Sequence, residues 1–247
     1  MLIRNGPYVG VDMESASIIS KAKEFLVKNQ PEKARKLLLK EGFIRRLDPS
    51  IQEAYEQLVP PGGALREQLE GSLAFLKDSD PNVRYKAASR LCKEALKEWS
   101  FHREAWLADP RTTSPLIQTL SDEDPKVAEK AAAALAAIMR SYFPDLRAFE
   151  PLVRLLRSRR KNTRLYAVLG IGSVNYKQRW DILLEMLNDT TTEVRRGACR
   201  SLIDSLDDCK IATTTKSKLI ARLQTLLSDK DDTIRAMADT VLGTLKG

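Results

Sequence analysis

His102 is the one histidine of this 247-residue chain, and Cys92, Cys199 and Cys209 are its cysteines. A Ser-His-Asp or Cys-His mechanism must therefore use His102. Cys92 lies about 15 Å from it along the axis if the surrounding helix continues at ~1.5 Å per residue, and that separation defeats a dyad. No two cysteines or histidines have zinc-ligand spacing. Gly170-Ile171-Gly172 follows no strand and lacks the GxGxxG or GxxxxGK(S/T) pattern of a nucleotide loop, so it reads as close helix packing. Cys92 and Cys199 each follow an apolar helix column by one residue, as small core-edge residues do. The expectation is a non-enzymatic protein with no catalytic set, no metal and no cofactor.

The other chemistry on offer is charge. Lys and Arg number 41 against 33 Asp and Glu, a formal +8. Residues 1–139 hold 21 basic and 20 acidic side chains, residues 140–200 hold 13 and 6, and residues 201–247 hold 7 and 7. The excess is thus concentrated in one segment. Arg154, Arg157, Arg159, Arg160, Lys161 and Arg164 cluster there, followed by Arg195, Arg196 and Arg200. These nine are the candidate binding surface, because guanidinium groups recognise carboxylates and phosphates through paired N–H donors. Tyr166 and Tyr176 are candidate aromatic anchors beside them, while Trp180 falls in register with the core positions Leu69, Phe149 and Ile220.

Positioning these groups falls to a repeat. Asp80-Pro81-Asn82-Val83-Arg84, Asp124-Pro125-Lys126-Val127-Ala128, Arg160-Lys161-Asn162-Thr163-Arg164, Thr191-Thr192-Glu193-Val194-Arg195 and Asp231-Asp232-Thr233-Ile234-Arg235 each follow a leucine-rich stretch. With Val83, Val127, Thr163, Val194 and Ile234 as reference, the spacings are 44, 36, 31 and 40 residues. Four residues later stand Ala87, Ala131, Ala167, Ala198 and Ala238, and eight later Leu91, Leu135, Ile171, Leu202 and Leu242. That is one helix face, small at its centre and aliphatic beyond. Seven residues before the reference stand Leu76, Leu120, Leu156, Leu187 and Leu227, on a first helix. Each unit is therefore two antiparallel helices joined by a tight turn. Asp80 and Asp124 are placed to cap the second helix, with Pro81 and Pro125 at its first position. Asp78, Asp122, Ser158, Asp189 and Asp229 recur five residues before the reference and can close the turn through backbone N–H groups. Arg84, Arg164, Arg195 and Arg235, interrupted by Ala128, are expected to pair with that Asp column between successive units.

This unit, of about 38 residues with an Asp-Pro-x-Val-Arg turn, resembles the HEAT-repeat family. The resemblance covers residues 64–247. It implies an all-α, right-handed α-solenoid of about five helical hairpins whose second helices line a concave binding surface. Residues 1–63 show three amphipathic helices out of phase with the repeat, over Ser15–Val27, Pro31–Gly42 and Ser50–Val59, and are expected to be an N-terminal helical cap or docking segment. The leading functional expectation is a scaffold or adaptor for an acidic protein or peptide. The alternative is a nucleic-acid-binding protein related to the HEAT-like DNA glycosylases: Trp106, Asp109 and Arg147 are loosely comparable with that group's functional residues, in a context that is not diagnostic. No apolar run approaches the roughly 18–20 residues of a membrane span, and no signal peptide is evident. The few cysteines fit a reducing compartment, so a cytoplasmic location is expected, with the nucleus as the second option.

Overall fold

A computed structural model describes residues 13–44, 49–59, 61, 63–97, 107, 109–141, 144–174, 176–206 and 211–246. All regular structure among them is helical. His102, Trp106 and Cys209 lie outside the described residues. The chain divides into two compact units, Met1–Gly63 and Ala64–Gly247.

The first unit packs three helices, α1 (Met13–Val27), α2 (Pro31–Ile44) and α3 (Pro49–Leu58). Its core is Ala22, Ala34, Leu38, Ile51, Ala54, Tyr55 and Val59. The tight link from α1 to α2 depends on Asn29, whose φ of 53° is left-handed. The Asn29 N–H donates to the Leu26 carbonyl and the Gln30 N–H to the Phe25 carbonyl, at 2.9 and 2.8 Å. This is a Schellman ending, and asparagine tolerates its left-handed position better than most side chains.

The second unit carries five successive hairpins among the described residues. In the first, α4 (Gly63–Glu70) and a 3-10 turn at Ala74–Lys77 precede the second helix α5 (Pro81–Lys97). The others pair α6 (Thr113–Thr119) with α7 (Pro125–Ser141), α8 (Phe149–Leu155) with α9 (Lys161–Gly172), α10 (Arg179–Met186) with α11 (Thr192–Ile203), and α12 (Thr213–Leu226) with α13 (Asp232–Lys246). Second helices stack in order, α5 on α7, α7 on α9, α9 on α11 and α11 on α13.

The small-residue column makes that stacking close: Ala131, Ala167, Ala198 and Ala238 are fully buried, and Leu91, Leu135, Ile171 and Leu202 beyond them nearly so. Fully burying an aliphatic side chain of this size contributes about 1.5–3 kcal/mol. The α9–α11 contact is one such close approach. A Cβ on Gly172 would stand 2.4 Å from the Ser201 Cβ and 3.1 Å from its Cα. The Ser201 hydroxyl donates to the Val168 carbonyl at 3.2 Å and the Ser205 hydroxyl to the Gly172 carbonyl at 2.9 Å, so the serines also satisfy carbonyls near the end of α9. The Gly170-Ile171-Gly172 run is thus a packing feature.

The recurring leucines stand at helix ends rather than helix centres. Leu120, Leu156, Leu187 and Leu227 each immediately follow a first helix. Leu120 and Leu187 are buried, whereas Leu227 in the last hairpin is 40% exposed.

Candidate binding surface

The turns come first, because they place the arginines. At every hairpin the side chain five residues before the reference accepts the backbone N–H two residues on: Asp78 from Asp80 at 2.8 Å, Asp122 from Asp124 at 2.9 Å, Ser158 from Arg160 at 3.2 Å, Asp189 from Thr191 at 2.8 Å and Asp229 from Asp231 at 3.0 Å. Asp80 and Asp124 then cap α5 and α7, accepting the N–H of Asn82 and Lys126 at 2.8 and 2.7 Å. Pro81 and Pro125 open those helices, where a missing N–H costs nothing.

Three of these turns next receive an arginine from the unit before them. Arg84 donates through Nε and Nη2 to the two Asp122 oxygens at 2.6 and 2.9 Å. Arg164 does the same to Asp189 at 2.7 and 2.9 Å, and Arg195 to Asp229 at 3.0 and 3.1 Å. In each case Nη1 also donates to the carbonyl six residues back, on Asp78, Ser158 and Asp189 respectively. One guanidinium thus fastens its own turn and the next. Arg235, in the last described hairpin, keeps the carbonyl bond to Asp229 but turns its other donors to Asp232 of its own helix.

One rung of this ladder is inverted. Between α7 and α9 the sequence has Ala128 where an arginine belongs and Ser158 where its aspartate belongs, so both partners of a single rung are absent. Glu129, the next residue, replaces them: its carboxylate is buried and accepts from Arg160 Nε at 2.7 Å, with Asn162 Nδ2 and Thr163 Oγ1 at 3.4 Å. A carboxylate at the start of α9, which has no side-chain cap of its own, also suits the positive end of the helix dipole.

This corrects the expectation that the nine basic residues together form one binding surface. Arg160 is paired with Glu129, and Arg164 and Arg195 are ladder residues with side chains only 14% and 15% exposed. Lys161 pairs with Glu193, Arg196 with Asp231 at 2.6 Å, and Arg200 with Asp204 at 3.1 Å. The count by segments misled because a rung joins residues 25 to 38 positions apart, and several of the neutralising carboxylates lie outside residues 140–200. Of the nine candidates, Arg154, Arg157 and Arg159 are exposed and make no ion pair among the described residues.

The ladder carboxylates are stronger acids than a free aspartate. Hydrogen bonds from Arg84, Arg195 and Arg196 hold Asp122, Asp229 and Asp231 below the usual carboxylate range. At Asp189 burial pushes the carboxyl up, and the bonds from Arg164 and the Thr191 N–H outweigh it to leave it lowered.

The aromatic candidates do not gather at the arginine turn. Tyr176 stacks on Phe149, centroids 4.5 Å apart and planes 12° from parallel, at the start of α8, whereas the free arginines lie at and beyond its end. Tyr166, on α9, packs half-buried against the core near Lys130 and Cys92, and burial raises its phenol. Trp180 is buried, with the fully buried Arg179 guanidinium 4.6 Å over its ring. Cys199 is buried and its thiol is pushed up to about 12, chiefly by burial.

Two short motifs escaped the sequence reading. Asp109 accepts from the Arg111 N–H and meets its guanidinium at 2.7 Å; Asp145 does the same with Arg147 at 2.9 Å. Both cap a 3-10 turn that runs into a first helix. Asp145, fully buried, also accepts from Thr113 Oγ1 of the preceding unit at 2.6 Å. Asp-x-Arg recurring 36 residues apart was the available signal. Asp109 and Arg147, the glycosylase-like residues within the described set, thus sit in turn-closing pairs.

The fold and its ladder define a helical-repeat solenoid. A family model for HEAT repeats matches residues 69–159 and 112–203, together more than half of the chain. The chain belongs to the HEAT-repeat family. A search of the curated proteins found no match. Among solved structures, an engineered protein is similar at TM-score 0.60 and 20% identity, over 92% of this chain and 96% of that one. A designed armadillo repeat protein in complex with the peptide (KR)4 is similar at TM-score 0.59 and 18% identity, over 93% and 98%. A further designed armadillo repeat protein gives 0.58 and 19%, over 93% and 98%. No helix among the described residues is long and apolar enough to cross a membrane.

Proposed function

We propose that the protein is a non-enzymatic scaffold that binds an acidic protein or peptide, with Arg154, Arg157 and Arg159 at the turn of unit three as the footprint. The observation that carries this reading is their exposure without a carboxylate partner among the described residues, in a fold that pairs most of the neighbouring cations internally. Holding three guanidinium groups within six residues costs mutual repulsion, which an external carboxylate relieves. A designed armadillo repeat protein of similar fold holds a basic peptide; the complementary ligand for a basic turn is acidic. Residues 1–63 act in this reading as a cap or as a second docking segment.

Reversal at Arg160 or Arg164 would break the ladder, so the test is Arg154→Glu/Arg157→Glu/Arg159→Glu. Loss of acidic-peptide binding with unchanged helicity is expected; unchanged binding would move the footprint. A single-stranded oligonucleotide under varied salt tests the nucleic-acid alternative. Oligonucleotide binding whose log affinity falls steeply and linearly with log salt, with no peptide binding, would replace the proposed function.

A further inference from the structure

We infer a second anion-recognising surface, on the second helices of units one and two, suited to an extended acidic peptide segment. The inference shares the acidic-partner chemistry proposed above and adds a site distinct from the unit-three turn. Its core is Lys86 and Lys93 on α5 and Lys130 on α7. Lys86 and Lys93 are exposed, Lys130 is half-buried, and none makes an ion pair among the described residues.

The register aligns them. Lys86 and Lys130 both stand three residues after the reference position, on helices that stack directly. Tyr166 occupies the same position on α9. Lys93 follows Lys86 by seven residues, two turns further along the same face. The Lys130 ammonium lies 6.0 Å from the centroid of the Tyr85 ring, which crosses the gap between α5 and α7. Lys130 therefore rests on an aromatic face and not on a carboxylate, so its charge remains for a ligand.

Of the carboxylates on these two helices, Glu129 is buried against Arg160 and Glu94 is half-buried, seven residues after the core residue Ala87. No carboxylate among the described residues pairs with these three ammonium groups, which favours an anionic occupant. The floor beside them is small, with Ser89 on α5 and Ala133 and Ala137 on α7. A helical ligand would need a broad apolar groove. Apart from Arg90 and Leu96 on α5, this row offers lysine, serine, alanine and two tyrosine rings, which fits an extended chain.

The spacing sets a register for that chain. Stacked helices lie about 8–10 Å apart, and seven residues of helix rise about 10 Å. Both steps match three residues of extended chain, also about 10 Å. An extended chain crossing from α5 to α7 thus carries carboxylates three residues apart over Lys86 and Lys130, with Lys93 adding charge beside the first, Tyr85 between them and Tyr166 one step beyond.

The probe is a fluorescein-labelled peptide of repeated Glu-Gly-Ser triplets, titrated by anisotropy against the full chain at low salt. Lys86→Glu/Lys93→Glu/Lys130→Glu is expected to weaken binding by more than about tenfold, as like charges facing the ligand would. Lys86→Gln/Lys93→Gln/Lys130→Gln, which imposes no new charge, should weaken it less and flatten its salt dependence. Equal helicity by circular dichroism shows that both variants fold. Loss with the lysine variants but not with the arginine variant supports this surface and removes the unit-three footprint. Loss with the arginine variant alone overturns this inference and leaves the proposed function intact. Loss with both supports both, and wild-type binding unaffected by either overturns both surfaces. A wild-type protein that fails to bind overturns the inference and the acidic-partner reading together.

Discussion

Removing the carboxylate at Asp189 tests the ladder at its best-defined rung. The Asp189 side chain is 8% exposed and its Arg164 partner 14%, joined by contacts of 2.7 and 2.9 Å. Asp189→Ala strips a mostly buried guanidinium of its counter-ion and deletes the bond that closes the turn at Thr191. Breaking one side of such a pair typically costs about 3–5 kcal/mol; Arg164 still donates to the Ser158 carbonyl and the Thr191 hydroxyl, which places the expected loss near the lower end, about 3 kcal/mol. For a chain of this size that is a fall in Tm of roughly 6–12 °C. Asp189→Asn keeps an oxygen for the Thr191 N–H, so it should recover the turn and not the ion pair. Thermal unfolding of Asp189→Ala, Arg164→Ala and the double variant gives the coupling energy, expected at about 1.5–3 kcal/mol. A coupling below about 0.5 kcal/mol would show that the rung contributes no more than an ordinary surface pair and would refute the reasoning.

Other outcomes follow from the same contacts. Asp122, Asp189 and Asp229 have folded-state pKa values below their unfolded ones. Their stabilisation is therefore complete above the unfolded value, near 4, and is lost as pH falls through the depressed folded values. Urea midpoints should be flat from neutral pH to about 5 and decline steeply below 4, with the decline reduced when a rung is removed. Gly172→Ala should destabilise strongly, since the new Cβ meets the backbone side of Ser201, whereas Gly243→Ala on α13 has nothing within 4 Å of its Cβ. The second change should gain about 0.5–1 kcal/mol in a thermal melt. Cys199, pushed up to about 12, should resist a thiol reagent at pH 8 in the folded protein and react once urea unfolds it.

The helical columns were legible because the alanine and leucine positions recur in phase through five units, and burial enforces that phase. The Arg and Asp columns were legible for the same reason, and their pairing follows from their fixed places relative to the reference position of each unit. What failed was the step from linear charge to surface charge. Arg160 and Arg196 look unneutralised when their own neighbours are counted, yet Glu129 and Asp231 reach them from adjacent units. The inverted rung was written in the sequence as paired departures at Ala128 and Ser158. Its repair by Glu129 occurs once, so periodicity carries no signal for it. In the first hairpin Gly71, Ser72 and Leu73 separate α4 from a 3-10 turn, a break that the column of leucines does not reveal.

The central claim, that exposed unpaired cations equip this solenoid for an acidic partner, is tested most directly by titrating the wild-type chain with two peptides that differ only in charge. A labelled Glu-Gly-Ser repeat should bind and weaken with salt, while its Gln-Gly-Ser counterpart should not bind. Equal affinity for the two peptides, or no binding of either at low salt, would contradict the claim.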